Sequence, residues 1–486
     1  MRWWNRSGAL AATLTLSACA AVGPNFKTPP APTVGGYAMV GDASPAGAAL
    51  SPDKRAMGPW WRDLGSQRLN VVTEQALAHN QTVAEALAAV DKAREQAASV
   101  HGGMAPRVDA NASVQGERIN LNEFGFTGFP GIANVPNPTI SLLSVGATVS
   151  YDLDVFGGQR RRLETAQAME AAAAHRADAA YLTLTGNVAM AAVRIAAIHA
   201  QIDAVHAIIA DDQHNLEIVQ KAQAAGGEAP AASTSRRAQI AADQALAPPL
   251  EQELAQARHN LALLVGKSPA EWSAPEFDVA EFTPPAQVPV SLPSSLVRSR
   301  PDILAAEADL HADTARIGVA TANLYPDIKL AAGWAQSALT PGALFSYGAS
   351  GWNIGPQLTA PLFNGGALRA DKRAAEAQAR ASLAFYRQTV LSAFTQVSDV
   401  LTALAHDDER MAALGAAQQD ADRALSDARA AYSLGGGPLA GVVEAQRQVD
   451  RARLDVVQAQ AQKLMDIVEL YAATATDWRE SAVSQR

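Results

Sequence analysis

The sequence predicts a mainly α chain with a smaller β portion, laid out twice on one plan of helix, β-hairpin, long helix, turn and helix. Three observations predict it. Alanine supplies 106 of the 486 residues, and alanine favours long helices because it loses no side-chain entropy on entering one. Four segments of about ten residues switch to apolar/polar alternation, the period of a strand with one wet face. Landmarks then recur at a near-constant offset: Pro106 and Pro326 are 220 residues apart, Gly157 and Gly365 are 208 apart, and Gly226 and Gly435 are 209 apart. Such an offset marks an internal repeat, and its drop by twelve lengthens the first hairpin loop.

Residues 1–18 read as a lipoprotein signal peptide. Arg2 and Arg6 precede a short apolar run from Gly8 to Leu16, which ends in Leu16-Ser17-Ala18-Cys19. The run is too short to span a bilayer, and small residues mark a cleavage site. Cleavage before Cys19 takes the formal charge from −9 to −11 and leaves the one cysteine of the chain at the new N-terminus for acylation, palmitate included. Several acyl chains together hold a membrane firmly where one is marginal. Residues 19–65, rich in Pro, Gly, Ala and Ser, predict an extended segment along the body of the protein.

The first repeat occupies 66–266. Leu69, Val72, Val83, Leu87 and Val90 keep helical spacing, so one helix is expected over 66–98. The hairpin follows at 106–155. Val108, Ala110, Ala112 and Val114 alternate with Arg107, Asp109, Asn111, Ser113 and Gln115; beyond a loop with Phe124, Phe126 and Phe129, Val145 through Val155 alternate with Ser144, Thr148, Ser150, Asp152 and Asp154. Proline is absent over 139–229 and again over 362–437, stretches of 91 and 76 residues. Each leaves a helix of roughly 65 residues, on the order of 100 Å long. Pro248-Pro249 predicts a kink or break in the first return helix. Residues 267–299 form a Pro-rich linker, and the second repeat occupies 300–475. Its hairpin, 326–362, sets Ile328, Leu330, Ala332 and Trp334 against Asp327 and Lys329, then Trp352, Ile354 and Leu358 against Asn353, Gln357 and Thr359. A tail, 476–486, ends the chain.

Composition excludes several functions. One cysteine allows no internal disulfide, no Cys-based zinc site and no Cys-x-x-Cys pair. A charge of −9 argues against nucleic acid as a partner. No run of 18 apolar residues free of charge occurs beyond the first 25, so no helical membrane span is expected. His199, His206 and His214 share helix faces but lack a third ligand and read as solvated positions. The glycine-rich run 435–441 has no following Lys-Ser or Lys-Thr and reads as a helical-hairpin turn. With no Gly-x-Ser-x-Gly elbow and no carboxylate pair that reads as buried, the sequence predicts no catalytic residue, metal or cofactor, and no enzyme.

The strands have the length of tilted bilayer-crossing strands. Four cannot close a barrel, and an open edge is not tolerated in lipid, so the chain must self-associate. Two copies reach eight strands, a barrel filled by its own side chains. Three copies give twelve strands and leave a lumen, with the helices continuing as a threefold sheath.

These residues also carry a family resemblance. Val22 through Pro29 after Cys19, Trp60-Trp61, Ala76-Leu77 with Asn80, Arg300-Pro301-Asp302 with Ala306-Glu307, Tyr325-Pro326, and Pro361-Leu362-Phe363 with Gly365-Gly366 resemble, in order and spacing, the TolC-like outer-membrane efflux proteins, in particular the NodT-type lipoprotein branch. The resemblance implies a homotrimer with a twelve-stranded outer-membrane barrel continued by a periplasmic α-helical barrel, lipid-anchored in the outer membrane. Ala20, where Asp would signal inner-membrane retention, agrees with that address. It further implies a passive gated duct for small molecules, drugs and toxic compounds among them, served by a periplasmic adaptor and through it by an inner-membrane transporter. Family hairpin tips map to 225–232 and 434–441, with Gly226, Gly227, Gly435 and Gly436 in the adaptor-contacting turns. The acidic gate position maps to Glu444; Arg236 and Arg237 near the first tip are the basic residues offered to it, and the other polar gate positions are occupied here by Gly437 and Gly441. Two rival readings stand beside this one: the outer channel of a type I protein secretion system, and a non-conducting lipid-anchored periplasmic coiled-coil scaffold.

Overall fold

The computed structural model describes residues 21–32, 36–39, 59–120, 139–284, 290 and 293–474; Cys19, the phenylalanines at 124, 126 and 129, and the 476–486 tail lie outside them. Ser66 starts α1 (Gln67–His79) by accepting the Leu69 N–H at 3.2 Å. The single helix expected over 66–98 is two, because Asn80 ends α1 and starts α2 (Gln81–Gly102). Its backbone is extended, its Oδ1 accepts from the Val83 N–H at 3.1 Å, and its Nδ2 donates to the Leu264 carbonyl at 2.9 Å. One side chain therefore serves two helix ends.

Strands β1 (Arg107–Arg118) and β2 (Thr139–Asp152) lead into α3 (Gly158–Ala224), a helix of 67 residues. Alternation predicted β2 to run to Val155. It stops at Asp152 because Asp154 turns to a φ of 42° and its carboxylate caps α3, accepting the N–H groups of Gln159 at 2.7 Å and Arg160 at 3.0 Å. After a turn come α4 (Pro230–Gln244) and α5 (Ala247–Leu264). The break falls at 245–246, just before Pro248-Pro249, which occupy the first turn of α5, where no N–H partner is needed. A short α6 (Pro293–Val297) precedes α7 (Pro301–Ala322), β3 (Asp327–Ala338), β4 (Ser350–Thr359), α8 (Ala367–Ser433, again 67 residues) and α9 (Leu439–Thr474).

The chain forms two units. One, from 1–28, 91–171 and 307–384, holds the strands in a single antiparallel sheet of order β1-β2-β3-β4. The other, from 29–90, 172–306 and 385–486, is helical. Its core gathers Trp60, Leu64, Leu69, Val188, Ile195, Leu261 and Tyr471. Tyr471 stacks on Trp60 at 5.3 Å and donates to Asp63 at 3.4 Å. α3 is long and apolar enough to cross a membrane, but 61% of its apolar window is buried.

Contrary to the sequence reading, the helical unit buries carboxylate pairs. Asp212 on α3, 2% exposed, faces Asp243 on α4. Beside them Gln446 bridges Asp211 (2.8 Å) and Asp450 (3.0 Å). Asp407 on α8 likewise faces Asp466 on α9. Burial first, then the partner carboxyl, pushes Asp212 up to about 6 against the pull of Arg236 and Arg447, and Asp466 up to about 7 with Glu469 adding to the effect. Each folded pKa lies above the unfolded value near 3.8. The folded chain therefore keeps protons that the unfolded chain has released, and stability falls as pH rises from about 4 to about 7. Asp212→Asn and Asp466→Asn, followed by thermal unfolding across that range, should each flatten the pH dependence and raise stability on its neutral side. Asn80→Ala should destabilise the folded chain by about 1–2 kcal/mol through the lost cap.

Candidate membrane face and hairpin tips

Register decides what the sheet presents. Opposed residues share a face, and the pairing aligns Val108, Val149, Ala332 and Ile354 in one row and Ala110, Ala147, Trp334 and Trp352 in the next. Ala112 with Val145, Val114 with Leu143, Tyr151 with Leu330, and Ile328 with Leu358 extend the same face. A slip of one residue in any pairing would scatter it. Among the described residues no layer covers this face, and Trp352 is 77% exposed. Exposed aromatics flank it: Phe345 and Tyr347 beyond the hairpin end, Tyr151 and Phe363 toward the helices. That arrangement matches the aromatic girdles of membrane strands.

The other face is small and polar. Its rows read Ser113-Ser144-Ser337, Asn111-Gly146-Ala335-Gly351, Asp109-Thr148-Gly333-Asn353 and Arg107-Ser150-Ala331-Gly355. Much of its charge sits near the helix end, where Arg107 pairs with Asp109 and Lys329 with Asp327, both at 2.8 Å. Among the described residues, strands β1 and β4 are the two edges and pair on one side only.

The two hairpin turns are built alike. Gly226 and Gly435 take φ of 79° and 74°, a conformation that favours glycine. Gly227 donates to the Ala222 carbonyl and Gly226 to that of Gln223; Gly436 donates to Ala431 and Gly435 to Tyr432, all at 2.9–3.0 Å. These bonds satisfy the last carbonyls of α3 and α8 and reverse the chain tightly. Leu434, at the second turn, is 86% exposed. Glu444 projects to solvent from α9 and has no ion pair among the described residues. Arg237 donates to Thr234 Oγ1 at 3.4 Å, and Arg236 acts on Asp212. Within one chain the three residues are not joined.

Other residues singled out by sequence have structural work. Arg300 donates to Asp302, to Gln396 at 2.8 Å and to the Ala473 carbonyl at 3.2 Å, tying the start of α7 to the end of α9. His199, expected in solvent, is half-buried between the Phe277 carbonyl (3.3 Å) and Arg258 (2.9 Å); His206 and His214 are exposed. Among the described residues no group of three His, Cys, Asp or Glu is placed to hold a metal.

Comparison with known proteins agrees with this geometry. The family described as outer membrane efflux protein matches residues 72–267 and 292–476. The chain is 28% identical over 468 residues to the pyoverdine export outer membrane protein OpmQ of Pseudomonas aeruginosa, covering 96% of each chain. It is 28% identical over 474 residues to nodulation protein T of Rhizobium leguminosarum bv. viciae, covering 96% of this chain and 92% of that one. The solved outer-membrane channel OprN superposes with a TM-score of 0.85 at 26% identity, over 95% of this chain and all of that one. Two matched segments that take in both helical hairpins and all four strands leave one conclusion: the chain belongs to the outer membrane efflux protein family.

Proposed function

We propose that this chain works as a homotrimeric, passive, gated exit duct of a tripartite efflux system. One observation carries the reading: a single four-stranded sheet with an uncovered apolar face and two open edges. Placing β4 of one copy beside β1 of the next continues the antiparallel order, and three copies give a closed ring of twelve strands. The apolar rows then meet lipid and the small polar rows line a lumen. Residues 66–266 and 300–475 act as two repeats joined through 267–299, and their helical hairpins form the periplasmic tunnel. A periplasmic adaptor docks at the turns of Gly226, Gly227, Gly435 and Gly436 and brings the inner-membrane transporter. Three copies of Glu444 form a negative ring at the entrance, with Arg236 and Arg237 of neighbouring copies as its basic partners. Acyl chains on Cys19 anchor the assembly. No catalytic step is required, because the duct moves cargo that an energised pump delivers.

A matched pair of substitutions separates the two faces. Ile354→Arg, on the apolar face, should weaken the inserted barrel by about 2–4 kcal/mol at mid-bilayer depth. Its neighbour Gly355→Arg, into open space on the polar face, should insert normally and lower single-channel conductance in a planar bilayer. Equal effects at both positions would contradict the assignment. Glu444→Gln should reduce the preference for cations over anions; an absence of conductance in both parent and variant would favour the non-conducting scaffold. Cys19→Ser should abolish acyl labelling while the barrel still inserts, and persistent labelling would place the anchor elsewhere.

A further inference from the structure

A buried guanidinium needs every donor used, since an uncompensated buried charge is strongly destabilising. Arg161, in the first turn of α3, is 4% exposed, and its partners lie in the extended segment 21–28. Its Nε donates to the Val22 carbonyl at 3.1 Å; its Nη2 donates to Asn25 Oδ1 at 2.7 Å and reaches the Gly23 carbonyl at 3.4 Å. Its Nη1 donates to Glu164 at 2.7 Å. Glu164 also pairs with His311 of α7 at 2.9 Å, and Phe26 stacks on that imidazole at 4.4 Å. Although burial pushes the Glu164 carboxyl up, the hydrogen bonds from Arg161 and His311 outweigh it and hold it below the usual range. Thr28 adds a bond to Glu307 at 2.9 Å, and the Val22 N–H donates to the Phe156 carbonyl at 3.1 Å.

The backbones touch as well. A Cβ on Gly157 would stand 2.5 Å from Ala21 Cα, one on Gly23 2.5 Å from Gly318 Cα, and one on Gly318 2.7 Å from Arg161 Cγ. The segment is therefore seated in a notch open only to glycine, between the starts of α3 and the end of α7. It leaves that notch at Ala21, beside the turn that follows β2. Ala20 alone separates Ala21 from Cys19, a reach of two backbone steps, at most ~7 Å.

We infer that residues 21–28 form a strap, with Arg161 as its positioning residue, that fixes the height of the lipid anchor at the helix-side end of the sheet and so sets how deep the apolar face sits in the membrane. The inference rests on the proposed membrane sheet and on acylation at Cys19. In it the anchor is a rigid stop rather than a tether: acyl chains enter the bilayer level with the charged rows, where the apolar rows begin.

The test uses the full acylated chain in phospholipid vesicles, with Leu358→Cys carrying a fluorophore at the helix-side end of the apolar face. Lipids brominated at different acyl depths give its position, and hydrogen exchange reads the Val22 amide. Arg161→Gln should speed Val22 exchange by about tenfold or more and shift the depth profile toward that of Cys19→Ser. Asn25→Ala with Phe26→Ala, which alters only the strap, should do the same and covers the case in which Arg161→Gln fails to fold. Cys19→Ser should shift the profile yet leave Val22 protected, because the notch is built by the fold and not by the lipid. A profile unchanged in both strap variants, or a Val22 amide exchanging freely in the parent, overturns the inference. A parent label unquenched at every depth overturns the membrane reading beneath it.

Discussion

A strand edge carries unpaired N–H and C=O groups along its length, and hydrocarbon supplies no partner for them. The described sheet has two such edges, and its register gathers most of the large apolar side chains of the four strands on one uncovered face. A lone copy cannot leave that face in water without a large exposed apolar patch, nor carry it into lipid without orphaned backbone groups. Ring closure with other copies answers both demands at once, and it puts the small polar rows around a shared axis. The repeat has the same logic: each half supplies one hairpin and one helical hairpin, so every added pair of strands arrives with its own length of tunnel.

The helical unit faces a different problem. Helices of 67 residues gain little from propensity alone and rely on packing along their length. The core around Trp60, Ile195 and Tyr471 provides this in one region. Toward the turns the buried carboxylates Asp212 and Asp450 stand at helix contacts, and Asp466 does so beside the core residue Ile467. Deprotonation of Asp212 toward neutral pH therefore weakens its contact with Asp243 between α3 and α4.

Much of this was legible in the sequence because the informative signals are local. Alternation around Val108, Val149, Trp334 and Ile354 located all four strands, and the proline-free runs located both long helices. The errors came from side chains acting on the backbone of another element. Asn80 looks like any helix residue until its amide meets the Leu264 carbonyl, and Asp154 continues the strand pattern while in fact capping α3. The carboxylate pairs were invisible for another reason: Asp212 and Asp243 are neighbours only once the turn at Gly226 sets the register of the two helices. Arg161 gave no sequence signal, since apart from Glu164 its partners are carbonyl oxygens of Val22, Gly23 and the Asn25 side chain, more than 130 residues away.

Edge closure is the claim on which the account stands, and amide exchange along β1 and β4 of the membrane-embedded protein addresses it directly. The outward-facing amides of these two strands should exchange as slowly as those of β2 and β3, because a neighbouring copy pairs them. Fast exchange confined to β1 and β4 beside protected β2 and β3 would show open edges and contradict the ring.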